Sequence, residues 1–266
     1  MKRTKKKEVS EVEPEKNRKI PTWLMAVILS LWAVGVMVVT QVIIGLIFRW
    51  IIPKHMISAP WVNSLYILIS DLLSVFIILF VPYRHKKHSI RKDLGLLDLP
   101  KWSDLIIAPV GYFVYLLLSY LLFRIFSVFP WFNPEQTQNL GYNYSLLFGG
   151  ERIFALIVLL VIVPIIEEVV FRGFLYGKLK KLFLDKCKKS KKLVSKANMI
   201  AIIAATLIVS IVFGAMHGQW NVGVDVFAMS VILCLMREIT DSIYPGILVH
   251  ILKNTLAFFV LSTMLY

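Results

Sequence analysis

The sequence predicts an all-α, polytopic transmembrane helical bundle of about seven spans with a cytoplasmic N-terminus. Of its 266 residues, 58% are hydrophobic and 17% are charged, and the mean hydropathy is +0.73. This is more apolar surface than one soluble core can bury. The hydrophobic residues fall into long runs, several of which reach the ~20 residues that a helix needs to cross a ~30 Å hydrocarbon core. The basic residues are concentrated between these runs.

The chain begins with a basic, polar tail, residues 1–21, which we expect to be disordered and cytoplasmic. The apolar run 23–48 follows directly and is too long for the hydrophobic region of a cleaved signal peptide, so we interpret it as a retained anchor. Residues 22–266 contain no internal repeat or linker and are treated as one transmembrane domain. Six further spans are predicted at 61–82, 104–129, 152–177, 197–217, 222–236 and 244–265.

The net charge of +14 comes mainly from three segments of the chain. Residues 1–21, 83–103 and 178–196 hold 23 of the 30 Lys and Arg residues. This distribution follows the positive-inside rule and places these segments in the cytoplasm, where they also contact the anionic headgroups of the lipid bilayer. It does not indicate nucleic acid as a partner. Cys187 and Cys234 are too few for a disulfide framework or a Cys-based zinc site.

The fourth span contains three ionisable side chains, Glu167, Glu168 and Arg172. A charge at mid-bilayer costs about 2.5–3.5 kcal/mol, so this cluster predicts a buried polar site. Glu168 and Arg172 are i,i+4 neighbours that can neutralise each other, whereas Glu167 points about 100° away around the helix. We therefore expect Glu167 to act as a general base or acid. An ion network that only holds helices together would use the same residues, and so would the proton relay of a secondary transporter, although no inverted repeat supports a transporter.

Two later spans each add a histidine. His217 ends the fifth span, and the last span carries His250 with Asn254 on the same helical face. Imidazoles can hold a metal or share a proton with Glu167, and the Asn254 amide can orient a histidine or donate to a developing oxyanion.

Three short motifs follow one another on hydrophobic segments: Glu-Glu-x-x-x-Arg at 167–172, Phe-x-x-x-His at 213–217 and His-x-x-x-Asn at 250–254. Over about residues 150–258, this pattern resembles the family of CAAX proteases and bacteriocin-processing enzymes, which are intramembrane proteases. The resemblance implies an intramembrane endopeptidase that hydrolyses a peptide bond in a small membrane-associated peptide or protein.

The resemblance also implies a role for each motif residue. Glu167 and His217 would activate a water, while His250 and Asn254 would stabilise the oxyanion. Glu168 and Arg172 would support this catalytic group.

Several points stay open at this stage. Members of the family have been described as metalloproteases and as metal-independent glutamic proteases. Glu167, His217 and His250 could therefore hold a divalent metal such as zinc or position water unaided. The alternative function is that of a non-catalytic bacteriocin self-immunity or regulatory membrane protein of the same family. The excess of Lys over Arg hints at a bacterial plasma membrane and favours a short peptide over a prenylated CAAX substrate.

The predicted span ends conflict with a shared site. At 1.5 Å per helical residue, Glu167 lies about 16 Å from Lys178, whereas His217 lies about 31 Å from Lys196. These depths differ by half a membrane. The conflict disappears if the fifth helix begins well inside the cytoplasm or is strongly tilted. His250 is expected on the cytoplasmic half of the bundle.

Overall fold

A computed structural model describes most of the chain beyond the N-terminal tail. The described residues are 20–57, 59–84, 90–97, 99–135, 150–190 and 193–264, and the side chains of 150–152 and 261–264 are not among them. The predicted tail lies outside this part except for its last two residues. The α-helices are α1 (Thr22–Ile51), α2 (Pro60–Tyr83), α3 (Ile90–Leu94), α4 (Asp104–Phe126), α5 (Gly150–Ile157), α6 (Val163–Glu168), α7 (Tyr176–Lys188), α8 (Ala197–Ala215), α9 (Trp220–Thr240) and α10 (Tyr244–Met264).

The helices α5, α6 and α7 form one continuous helical segment. Two π-helical stretches, Val158–Ile162 and Val169–Leu175, join them. Pro164 lies in the first turn of α6, and because proline has no backbone N–H, regular α-helical bonding cannot continue through it. Wider π turns are a common adjustment inside helices and are frequent at functional sites. The short α6 between them ends with Glu167 and Glu168.

Within the part of the chain that the structure describes, five helical stretches are long and apolar enough to cross a membrane. A shorter apolar helix lies within α10, and α9 is a further long helix with many buried residues. The described residues thus contain seven long helical segments and no strand, which confirms the predicted all-α bundle. The chain is an integral membrane protein. The five stretches are Thr22–Ile51, Pro60–Tyr83, Asp104–Phe126, Ile153–Lys188 and Val194–Ala215.

The centre of the bundle is formed by α9 and by the second π stretch. α9 packs against α4, α8 and α10, and α6 packs against α2 and α10. Each residue from Val170 to Leu175 is buried. The outer faces remain apolar: Leu31 of α1 is 65% exposed and Phe113 of α4 is 61% exposed. Such a surface is suited to contact with lipid rather than water.

The helix bounds correct two predicted span ends and remove the depth conflict. The fourth span was predicted to end at 177 and the sixth at 236, but the helices continue to Lys188 and Thr240. The basic segment after residue 177 is therefore mostly helix, which packs against α8. Measured from Lys188 and from Ala197, Glu167 and His217 each lie roughly 30 Å along their helices. Both residues can therefore lie at the same level of the bundle.

Two glycines bring α8 and α9 into backbone contact near His217. A Cβ on Gly214 would lie 2.7 Å from the carbonyl oxygen of Gly223, and a Cβ on Gly223 would lie 3.0 Å from that of Gly214. Small residues at such crossings allow helices in membranes to approach closely.

We predict that Gly214→Ala destabilises the protein, because the added methyl group must push α8 and α9 apart. Overpacking of this kind costs about 1–3 kcal/mol, and thermal unfolding in detergent micelles measures the loss. Gly35→Ala in α1 is the matched control, since a Cβ there would have no neighbour within 4 Å. Equal melting temperatures for the two variants would contradict the close crossing.

Candidate active site

Glu168 is the centre of a fully buried ion network. Its Oε1 accepts a hydrogen bond from Nη1 of Arg172 at 2.8 Å, which confirms the i,i+4 pair that the spacing predicts. The same oxygen lies 2.9 Å from Nδ1 of His250 on α10. Glu168 and Arg172 are 0% exposed and His250 is 2% exposed. A buried carboxylate of this kind is tolerated because partners inside the protein replace its lost hydration.

Glu167 lies on the other side of His250. Its Oε2 is 3.4 Å from Nε2 of His250, so the imidazole stands between two carboxylates. The Glu167 side chain keeps 19% of its surface exposed, in contrast to Glu168. Glu167 is thus the carboxylate of the two that a water molecule can reach.

His217 joins this group through an aromatic ring. Its Nδ1 lies 2.9 Å from the carbonyl oxygen of Phe213, one turn earlier. The Phe213 ring is 5.1 Å from the His217 ring, 5.9 Å from the His250 ring and 4.5 Å from Cζ of Arg172. The guanidinium therefore makes a cation–π contact with the ring that separates the two histidines. Asn254 lies half-buried one turn beyond His250 on α10.

The structure therefore brings together the predicted residues to different degrees. Glu167, Glu168, Arg172 and His250 are in direct contact, while His217 is connected to them through Phe213. Because His250 contacts both glutamates, it lies at the same level of the bundle as they do.

A second polar cluster, which the sequence analysis did not assign, lies on α4, α9 and α10. Oδ1 of Asp225 accepts hydrogen bonds from the hydroxyls of Tyr115 at 2.7 Å and Ser119 at 2.6 Å. Nζ of Lys253 lies 3.8 Å from Oδ2 of the same carboxylate. Asp225 and Lys253 are charged residues on apolar helices, and this feature of the sequence could have predicted a polar cluster.

Asp71 of α2 is another intramembrane acid without an assigned role in the sequence. It is 6% exposed and is close enough to Glu167 to interact with it electrostatically. Lys253 interacts electrostatically with Glu167, His217 and His250. Charged side chains of α2 and α10 therefore act on the same site.

Comparison with known proteins finds a match in the part of the chain that holds this site. Residues 149–256 match the family model described as type II CAAX prenyl endopeptidase, Rce1-like. Over these residues, the chain is similar to the Rce1-like family. The matched segment covers α5 to most of α10 and leaves residues 1–148 unmatched. Among curated proteins and among solved structures, nothing matches the chain. This match supports a membrane endopeptidase as the kind of protein.

The residues predicted as metal ligands in this Rce1-like segment do not form a ligand cluster. Within the described ranges, no three His, Cys, Asp or Glu side chains converge as they would to hold a metal ion. Nδ1 of His250 is hydrogen-bonded to Glu168, and its Nε2 faces Glu167. Nδ1 of His217 is hydrogen-bonded to a backbone carbonyl oxygen. A metal site formed by Glu167, His217 and His250 stays a prediction.

We predict that Glu168→Gln strongly destabilises the Rce1-like segment, because it leaves the Arg172 charge buried without a counter-ion. Removing one partner of a buried pair costs about 3–5 kcal/mol, measurable by unfolding in detergent micelles. Asp241→Asn is the matched control. Asp241 also pairs with an arginine at i,i+4, 2.7 Å away, but is 91% exposed.

The control variant should lose less than Glu168→Gln, since Asp241 is exposed and only Arg237 of this pair is buried. Asn also tolerates the left-handed backbone of Asp241, whose φ is 52°. Similar losses in the two variants would show that burial of the Glu168 pair has no energetic importance.

Proposed function

We propose that the protein is an intramembrane endopeptidase that hydrolyses a peptide bond in a small membrane-associated peptide, with Glu167 activating a water molecule and His250 stabilising the oxyanion. The observation that carries the proposal is the placement of His250 between two glutamates of unequal accessibility. Glu168 is enclosed and orients the imidazole, whereas Glu167 is partly exposed. Carboxylate, imidazole and amide groups in this arrangement are the parts that water-based peptide hydrolysis needs.

The hydrogen-bond partners assign the protons of the two histidines. A backbone carbonyl can only accept, so Nδ1 of His217 carries a hydrogen and donates it to Phe213. Its Nε2 is then an acceptor when the ring is neutral. Nδ1 of His250 likewise donates to the Glu168 carboxylate, and Nε2 of His250 faces Oε2 of Glu167 at 3.4 Å.

In the proposed reaction, Nε2 of His250 carries a proton and Glu167 is a carboxylate. Glu167 takes a proton from water while the water oxygen attacks the peptide carbonyl carbon, and Nε2–H of His250 donates to the oxygen that becomes negative. The C–N bond then breaks as Glu167 returns the proton to the departing amine. The products are a carboxylic acid and an amine, and the enzyme is regenerated.

His217 and Asn254 complete the proposed site. The acceptor Nε2 of His217 would help to orient the attacking water, and the Asn254 amide would be a second donor to the oxyanion. The support for these roles is positional: His217 shares the Phe213 ring with His250, and Asn254 lies one turn beyond it.

The proposed substrate is a short membrane-associated or amphipathic peptide, and the proposed location is a bacterial plasma membrane. The enclosure of the site by α2, α6 and α10 supports a substrate that enters from the lipid. A bacteriocin leader or a pheromone precursor is a short peptide of this kind. The name of the matched family refers to prenylated CAAX proteins, which are the competing substrate class.

We predict that Glu167→Gln abolishes cleavage, with a loss of at least 10³-fold, because an amide cannot accept the proton from water. Membrane peptides from cells that make the wild-type or the variant protein are compared by mass spectrometry. A peptide cut only by the wild type is then synthesised and tested with purified protein in liposomes.

Glu238→Gln is the matched control for this experiment. Glu238 is also a half-buried carboxylate, but it binds Tyr176 and Lys180 outside the site. Its variant should keep activity within about threefold. Full cleavage by Glu167→Gln would refute the proposed mechanism, and protection of cells by a Glu167→Gln protein would instead support a non-catalytic immunity function.

We also predict that metal removal leaves the activity in place. Because the described residues form no three-ligand cluster, purified enzyme treated with 1,10-phenanthroline and dialysed should retain most of its rate. The non-chelating 1,7-phenanthroline controls for effects on the membrane. Loss of activity that zinc restores would show that Glu167, His217 and His250 rearrange to bind a metal.

A further inference from the structure

The carboxylate of Asp225 on α9 is held by two hydroxyl groups of α4. Both hydroxyl donors, Tyr115 and Ser119, come from α4 and bind the same oxygen, Oδ1. The other oxygen, Oδ2, faces Nζ of Lys253 at 3.8 Å. That distance allows an ion pair but exceeds the length of an N–H···O hydrogen bond.

The facing atoms of this pair therefore keep their hydrogen-bonding capacity. Within the described ranges, neither Oδ2 of Asp225 nor Nζ of Lys253 has a hydrogen-bond partner. Both side chains are reachable, since Asp225 is 22% exposed and Lys253 is 14% exposed. The pair thus presents a strong acceptor beside a strong donor at a partly open position.

This acceptor–donor pair lies beside the proposed reaction centre. Lys253 is three residues after His250 on α10 and immediately before Asn254. It interacts electrostatically with Glu167, His217 and His250, and Asp225 interacts with His217. A molecule bound by Asp225 and Lys253 would therefore extend towards Glu167.

A peptide that is cut in such a site must be locally extended, because a helix hides its carbonyl groups. In an apolar environment, each freed backbone N–H and C=O then needs a new partner. An adjacent acceptor and donor meet this need without regard to side-chain identity.

We propose that Asp225 and Lys253 bind the backbone of the extended substrate next to the bond that is cut. Oδ2 of Asp225 accepts from an amide N–H, and Nζ of Lys253 donates to a carbonyl oxygen. The inference rests on the proposed endopeptidase function. Tyr115 and Ser119 are positioning residues that keep Oδ2 directed at the substrate.

The test measures binding in a protein that cannot cut. The probe is a dye-labelled synthetic copy of the peptide whose cleavage Glu167→Gln abolishes, and its Kd is measured in liposomes by fluorescence anisotropy. We expect Lys253→Met in the Glu167→Gln background to raise the Kd at least tenfold. In the enzyme with Glu167 intact, the same change should raise KM at least tenfold and alter kcat by less than threefold.

A double variant separates binding from a purely structural ion pair. Lys253→Met alone leaves the Asp225 charge uncompensated and lowers the melting temperature, whereas Asp225→Asn combined with Lys253→Met should restore it. Under our proposal, the restored protein still binds at least tenfold more weakly, because both hydrogen-bonding partners of the backbone are changed. A double variant that binds within twofold of its parent would overturn the inference.

Lys180→Met is the matched control, since Lys180 also pairs with a carboxylate, that of Glu238, but lies on α7 outside the site. It should leave the Kd within twofold. Different results contradict the two proposals. Cleavage by the Glu167→Gln protein would contradict the proposed endopeptidase mechanism itself. Loss of cleavage by the Glu167→Gln protein, together with unchanged peptide binding by the Lys253 variants, would contradict only the proposed backbone-binding role of Asp225 and Lys253.

Discussion

A charge inside a lipid-embedded bundle must find its partners within the protein, and the bonds of Glu168 to Arg172 and His250 meet this constraint. The first bond is local to one helix, whereas the second joins residues that are 82 positions apart. Because one carboxylate oxygen serves both, the orientation of the histidine depends on the same burial that stabilises the ion pair. The energetic need to neutralise Glu168 therefore also fixes the geometry of the proposed reaction centre.

Small residues make room for this polar interior. Gly246 lies one turn before His250, and a Cβ there would lie 3.2 Å from Oε2 of Glu168. Gly214 and Gly223 similarly allow α8 and α9 to meet near His217. Membrane helices pack by close contact rather than by a hydrophobic driving force, so glycines determine where polar side chains can be enclosed.

The polar groups divide into an enclosed set and a reachable set. Glu168, Arg172 and His250 are enclosed, while Glu167, Asp225 and Lys253 retain some exposure. In the proposed reaction, Glu168 and Arg172 orient His250, and the reachable set contacts water or peptide. Under that proposal, adjacent glutamates on one helix have different tasks because consecutive residues point in different directions, and only one direction is covered by packing.

Local patterns determined much of this protein. The long apolar runs and the Glu168–Arg172 spacing depend on near neighbours in the chain, and both were confirmed in outline. The continuation of the fourth helix to Lys188 was missed because the lysines were interpreted as the membrane boundary, although helix formation does not stop at that boundary.

Tertiary structure alone decided that His250 binds Glu168 and faces Glu167, and that Lys253 pairs with Asp225. Periodicity reports the face of a helix on which a residue lies, but the partner across that face depends on how distant helices pack.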